Sequence, residues 1–117
     1  LKTAQIYDLE NNQNIIPSIN KYARYKKNDQ GVYTIKNKML NQCWRMWQGC
    51  VITWDGKVVP CCFDKDAKYS LGSVKQNTFK EVWFSEPYKR FRGSILKGRS
   101  EIDICKNCSE GTKVWAD

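Results

Sequence analysis

With 117 residues and six cysteines, the chain is long enough for one small domain, whose limited core gains from an added staple. It contains no histidine, which excludes Ser–His and Cys–His catalysis, the H-E-x-x-H zinc motif and every mixed Cys/His metal site. The formal charge of +8, from 20 Lys and Arg against 12 Asp and Glu, reads as a solvated basic surface or as a match for an anionic partner.

The opening LKTAQIYDLENN lacks the basic start and apolar run of a secretion signal. No stretch reaches the roughly 18–20 apolar residues of a membrane span. A cytoplasmic protein without a membrane partner is therefore expected. Because the first residue is Leu1 and not Met, a piece of a longer chain is also expected. Residues 1–42 are rich in Asn, Lys and Tyr and hold no cysteine. Within them KTAQIYDL predicts a strand, NIIPS a turn and GVYTIKN a second strand.

From Cys43 the pattern changes. Asp55-Gly56 lies between CVITW and KVVPCC, which predicts a β-hairpin. A two-residue turn there pairs Trp54 with Lys57 and sets Cys50 opposite Cys61. Pro60 has no N–H to give, so the second strand ends near it or lies at an edge. Thr78 is expected to cap a helix over FKEVWF, with Glu81 completing a capping box. Ser85 is expected to cap the next helix, with Glu86 and Pro87 in its first turn and Gly98 as its stop. Tyr88, Phe91 and Ile95 fall on one face of that helix, to be packed onto the hairpin.

The chain then reaches Cys105-Lys-Asn-Cys108. C-x-x-C brings two sulfurs onto one metal through a tight turn, and alone it suits zinc, an iron–sulfur centre or a redox disulfide. No βαβ unit surrounds it, which argues against the redox reading. Sulfur-only ligation favours zinc or iron–sulfur clusters over magnesium, calcium or haem. Two further ligands must come from Cys43, Cys50, Cys61 and Cys62. The adjacent Cys61 and Cys62 point to opposite sides of an extended chain. The expected hairpin register puts the Cβ atoms of Cys50 and Cys61 roughly 5 Å apart, and by itself selects Cys50, Cys61, Cys105 and Cys108.

The run CWRMWQGCVITWDGKVVPCCFDKDA, then LGSVKQNTFKEVWFSEPYKRFR, then ICKNC closely resembles the SPASM domain of radical SAM enzymes, over about residues 43–111. That pattern is a cysteine, a gap, Gly, four residues and a cysteine, with C-x-x-C far downstream. Cys43, twelve residues, Gly56, four residues and Cys61 fit it, whereas Cys50 lies only five residues before Gly56. The resemblance implies Cys43, Cys61, Cys105 and Cys108 as ligands of a [4Fe–4S] cluster. It also implies the shortened, single-cluster "twitch" variety, since the further cysteines that build a second cluster do not follow Cys108. A cluster with every iron held by protein cannot bind substrate directly, which implies electron transfer, substrate positioning or a structural role. The choice between Cys43 and Cys50 stays open on the hairpin register, as does an exchange of Cys62 for Cys61.

Cys50 and Cys62 otherwise read as small buried hydrophobes. Asp64 and Asp66 read as turn residues, or as carboxylates near enough to act on a substrate. Trp44, Trp47, Trp54, Trp83 and Trp115 are expected in the core, where they would also shield a cluster.

The C-x-x-x-C-x-x-C motif that cleaves S-adenosylmethionine is missing, so catalysis is expected in a barrel upstream in a parent protein. Residues 1–42 would be the exit segment and linker of that barrel, and 43–117 the single-cluster domain. The resemblance implies that the parent would modify a peptide, a protein or a small molecule. The expected fold is α+β: a small β-hairpin and two short helices around the cysteine-ligated centre, with an extended N-terminal segment. The rival reading is a structural zinc module that binds nucleic acid or protein. It lacks a second close cysteine pair, and its basic residues form no stripe. A nucleic-acid partner is accordingly not expected, although zinc suits the same four sulfurs. A secreted three-disulfide domain fails on the missing signal and the uneven spacing.

Overall fold

The computed structural model describes Ile6, residues 8–36 and residues 39–111. In the N-terminal part, β1 (Tyr25–Lys27) pairs antiparallel with β2 (Tyr33–Ile35), Lys26 facing Thr34. The connection is built by Asn28, whose Oδ1 accepts the amides of Gln30 and Val32 at 2.9 and 3.0 Å. Such self-bonding is why Asn favours turns. Ile6, Leu9 and Tyr25 form a small buried cluster, with Ile16, Tyr33 and Ile35 packed on it. The segment expected to be merely extended therefore carries its own hairpin and core. The second expected strand is present as β2, but its partner is the polar YKK. Most of KTAQIYDL lies outside the described residues.

After a single helical turn, α1 (Arg45–Gln48), the chain enters a three-stranded antiparallel sheet in the order β3 (Val51–Ile52), β4 (Lys57–Val59), β5 (Gly72–Ser73). The β3–β4 register is Val51 with Val59 and Ile52 with Val58. Its loop is one residue longer than expected. Thr53 faces Lys57, its amide bonding the Lys57 carbonyl at 2.9 Å, and Trp54, Asp55 and Gly56 make the turn. Gly56 sits at φ +85°, the left-handed residue such a three-residue loop requires. The consequence reaches the cysteines, because a one-residue slip exchanges faces. Continued outward, this register sets Cys50 across from Pro60 and not across from Cys61.

β5 was not foreseen, being two residues long with a glycine in it. It pairs Gly72 with Val58, and a Cβ on Gly72 would lie 2.9 Å from Cγ1 of Val82. The missing side chain is what lets the next helix lie close on the sheet.

That helix is α2 (Phe79–Trp83), and its expected capping box is present. Thr78 Oγ1 accepts from the Glu81 amide at 3.2 Å, and Glu81 Oε2 accepts from the Thr78 amide at 2.9 Å. The longer α3 (Glu86–Gly98) follows with Pro87 in its first turn and ends at Gly98, as expected. Ser85 stands at its N-cap position with extended backbone, but its hydroxyl donates to the Val82 carbonyl at 2.7 Å instead of capping. Tyr88, Phe91 and Ile95 are all buried, in one core with Met46, Val58, Leu71 and Val82. Arg92 ties the parts together, its guanidinium 3.9 Å from the Tyr88 ring centre and 4.5 Å from that of Trp83. The same group donates to the carbonyls of Met46 and Trp83, both at 3.0 Å. The architecture is α+β, and no helix among the described residues is long and apolar enough to cross a membrane.

Candidate metal centre

Three separate segments deliver cysteines to one place. Cys43 stands two residues before α1, and its carbonyl accepts the Met46 amide at 3.0 Å to start that turn. Cys61 follows Pro60, where β4 has ended, and its carbonyl accepts the Asp64 amide at 3.2 Å. Cys105 and Cys108 share the turn after Ile102, the Cys108 amide bonding the Cys105 carbonyl at 2.9 Å. Cys43, Cys61, Cys105 and Cys108 line a single small, enclosed cavity. Its remaining walls are largely apolar, with Phe63, Phe91, Ile95 and Ile104 among them. Cys43, Cys105 and Cys108 are buried and Cys61 is half-buried.

The other two cysteines stand elsewhere. Cys50 packs against the rim of the core, and with Cys62 it lines an open groove on the outer side of Cys61. Cys62 is exposed, contrary to the buried role expected for it. The strand has ended by Pro60, and the turn that follows directs Cys62 to solvent.

The electrostatics are those of a buried sulfur site. Burial pushes the Cys61 thiol up to about 11 and the Cys105 thiol up to about 12, and it raises Cys108 as well. Backbone amides act against this: those of Phe63 and Asp64 on Cys61, and that of Glu110 on the Cys108 sulfur at 3.4 Å. Amide-to-sulfur bonds of this kind stabilise thiolates and tune the centres they hold. Without metal these thiols are protonated at neutral pH, so loading the site releases protons.

Residues that sequence reasoning did not single out complete the site. Arg99, 1% exposed, lines the cavity. It donates to the Gln42 carbonyl at 2.8 Å and the Glu110 carbonyl at 2.5 Å, and its Nε is buried with no hydrogen-bond partner. Nothing in the local sequence marks it, because it is one basic residue among 20. Gly111, at φ +75°, lies so close to Cys43 that a Cβ there would overlap the Cys43 sulfur. The Gly111 carbonyl also accepts the Trp44 amide at 3.0 Å. A glycine three residues beyond a C-x-x-C was the available signal.

Two further expectations are corrected or decided. The tryptophans do not form a common shield: Trp54, at the hairpin tip, is 97% exposed, and Trp47 is also exposed. Trp44 and Trp83 are half-buried, and Trp115 lies outside the described residues. Of the acidic pair, Asp64 is buried and its carboxylate accepts the amides of Lys68 and Tyr69, both at 2.8 Å, so it is a turn staple. Asp66 is exposed.

Four thiols, an enclosed apolar wall, amides on sulfur and a buried cation fit an iron–sulfur cluster. Among the described residues no group of three or more Cys, Asp or Glu is arranged to hold a single metal ion. A cluster spreads its cysteines over its corners, farther apart than the ligands of one ion.

Comparison with known proteins bears on the same residues. The model of SPASM, an iron–sulfur cluster-binding domain, matches residues 43–109. The S-adenosyl-L-methionine-dependent 2-deoxy-scyllo-inosamine dehydrogenase of Niallia circulans is 32% identical over 60 residues, which is 50% of this chain and 24% of that protein. A tungsten-containing aldehyde ferredoxin oxidoreductase cofactor-modifying protein of Pyrococcus furiosus is 38% identical over 72 residues, 50% of this chain and 20% of that protein. The crystal structure of selenomethionine BtrN in an open conformation superposes with a TM-score of 0.53 at 28% identity, covering 59% of this chain and 33% of that one. The chain thus spans a quarter or less of the curated relatives it matches.

Proposed function

This chain belongs to the SPASM family of iron–sulfur cluster-binding domains, and from that premise we propose that Cys43, Cys61, Cys105 and Cys108 hold one [4Fe–4S] cluster as an electron-transfer centre of a radical SAM enzyme. The observation that carries the reading is that these four cysteines, and neither Cys50 nor Cys62, line one enclosed cavity. When bound, such a centre supplies one-electron redox chemistry.

What the chain's own residues contribute follows from their placement. Four thiolates complete the ligand set, so no open position is left for substrate. The wall of Phe63, Phe91, Ile95 and Ile104 excludes water, which protects the centre and lowers the local dielectric. The amides of Phe63, Asp64 and Glu110 hold negative charge on Cys61 and Cys108. The S-adenosylmethionine dependence of the Niallia circulans dehydrogenase supports a radical SAM barrel as the source of the radical chemistry; a peptide, a protein or a small molecule as substrate and a reducing cytoplasm as the setting are part of the proposal.

Anaerobic reconstitution with iron and sulfide, followed by metal and sulfide analysis and absorbance in the cluster band, tests the reading. About four irons and four sulfides per chain are expected. A colourless product that holds zinc and takes up no iron would refute it.

A further inference from the structure

We propose that Arg99 is a positioning residue of the cluster site: it clamps the segment before Cys43 to the segment after Cys108 and supplies the buried positive charge that favours the reduced centre. The proposal rests on the cluster reading above. Three observations carry it.

The first is the clamp itself. Arg99 lies in the short 3-10 turn Arg99–Glu101 that follows α3. Its amide donates to Asn41 Oδ1 at 3.0 Å and one guanidinium nitrogen donates to the Gln42 carbonyl at 2.8 Å. The other terminal nitrogen donates to the Glu110 carbonyl at 2.5 Å. Ligands that are 65 positions apart in sequence, Cys43 and Cys108, are thereby held by one planar fork. Arginine suits this, because its donors are fixed in one plane.

The second is charge. A buried cation is costly unless an anion compensates it. Glu110, whose carbonyl it binds, is one candidate, but its carboxylate is engaged by Arg24 at 2.6 Å and Arg45 at 3.6 Å. Among the described residues Arg99 forms no ion pair with a carboxylate. The anion it faces is the cysteine set, since Arg99 lines their cavity. It acts on Cys105 and Cys108 against the effect of burial.

The third is the unpartnered Nε, buried on a residue that lines that cavity. A buried donor left unsatisfied is destabilising. The same side chain acts as a hydrogen-bond donor on the Cys108 sulfur, so its donors converge on the cysteine set. Adding an electron makes a thiolate-ligated centre more negative, so a fixed cation at this place raises its reduction potential.

The test compares unmodified, Arg99→Gln and Arg99→Lys chains, reconstituted anaerobically with iron and sulfide. Midpoint potentials are measured by titration followed with electron paramagnetic resonance, and iron and sulfide are counted in each sample. In Arg99→Gln the reduced-to-oxidised ratio at fixed potential is expected to fall about tenfold, equal to a shift of about 59 mV for one electron. Arg99→Lys is expected to recover most of that shift. An unchanged potential in a fully loaded Arg99→Gln chain overturns the charge role. If Arg99→Gln holds no iron, the lysine variant decides: restored iron supports the proposal, and equal loss overturns it.

Amide hydrogen exchange on the metal-free chains tests the clamp separately. Protection is expected to fall together at residues 41–46 and 108–111 in Arg99→Gln, while the first turns of α3 keep theirs. Unaltered exchange at both segments, or an even rise along the chain, overturns the clamp. An unmodified chain that never takes up iron refutes the cluster reading instead, and exchange still judges the clamp.

Discussion

At the scale of single residues, one extra loop residue bears on the choice between Cys43, which the resemblance implied, and Cys50, which the expected hairpin register selected. A two-residue turn at Asp55-Gly56 would have made Cys50 the partner of Cys61. The three-residue loop Trp54, Asp55, Gly56 shifts the register and leaves Cys50 at the rim of the core. Cys43→Ser is therefore expected to abolish most iron binding. Cys50→Ser is expected to keep full iron content and to cost about 1 kcal/mol or less, as a near-isosteric change in a half-buried site. Iron analysis of both variants after reconstitution is the check, and loss only in Cys50→Ser would reverse the assignment. Gly111 makes a second expectation. Alanine there meets both a left-handed backbone, at φ +75°, and the Cys43 sulfur. The backbone term alone costs on the order of 1 kcal/mol, but the displaced sulfur matters more. Gly111→Ala is expected to lose at least half its iron, whereas Gly49→Ala, with open space around it, is expected to lose none.

At the scale of elements, stability and legibility go together. The capping box of α2 spans four residues and draws on two side chains, so it was readable from Thr78 and Glu81 without knowledge of the rest of the fold. Thr78→Ala removes the bond to the Glu81 amide and is expected to cost about 1 kcal/mol in chemical denaturation of the loaded chain. A denaturation midpoint that does not move would contradict it. The face of α3 was equally plain, since Tyr88, Phe91 and Ile95 obey a helical period whatever they pack on. Elements of two or three residues were not legible in this way. β1 is polar YKK, and its one buried member, Tyr25, takes its place from contacts far along the chain. β5 contains Gly72 because α2 must come close, a requirement set by tertiary packing that no local propensity records. Ser85 failed as a cap for a related reason: the Val82 carbonyl at the end of α2 takes its hydroxyl first. For the site, the motif and the resemblance supplied the four cysteines. Arg99 could be found only where the chain is already folded, because Gln42 and Glu110 are distant from it in sequence or turned toward it by the C-x-x-C turn.

At the scale of the whole molecule, the N-terminal hairpin is tied to the cysteine turn. The Tyr25 hydroxyl donates to the Asn107 carbonyl at 3.3 Å and accepts the Ile6 amide at 2.7 Å. Arg24 donates to Ser109 Oγ and to Glu110 Oε1, both at 2.6 Å. These ties are unequal. The Arg24–Glu110 pair is partly exposed, and such pairs contribute about 0–1 kcal/mol. Burial of an aromatic side chain, as at Tyr25, contributes about 1.5–3 kcal/mol. Asn107 lies in the turn between Cys105 and Cys108, and Ser109 and Glu110 directly follow it, so the hairpin packs on a surface that the proposed metal centre would organise. A structural metal site can supply on the order of 10 kcal/mol to folding, which is comparable with the whole stability of a small domain, about 5–15 kcal/mol. Anaerobic chelation of the loaded chain is therefore expected to release more than the ligand loops. Amide hydrogen exchange should rise in residues 43–111 and, in the same step, across β1 and β2. Tyr25→Phe keeps the buried aromatic ring and removes only the hydroxyl. It should lower hairpin protection in the loaded chain by about thirtyfold or less, corresponding to the two hydrogen bonds of the hydroxyl at about 1 kcal/mol net each, without changing iron content. If β1 and β2 stay fully protected after the metal is removed, the hairpin stands on its own core of Ile6, Leu9 and Tyr25, and its dependence on the cysteine turn is refuted.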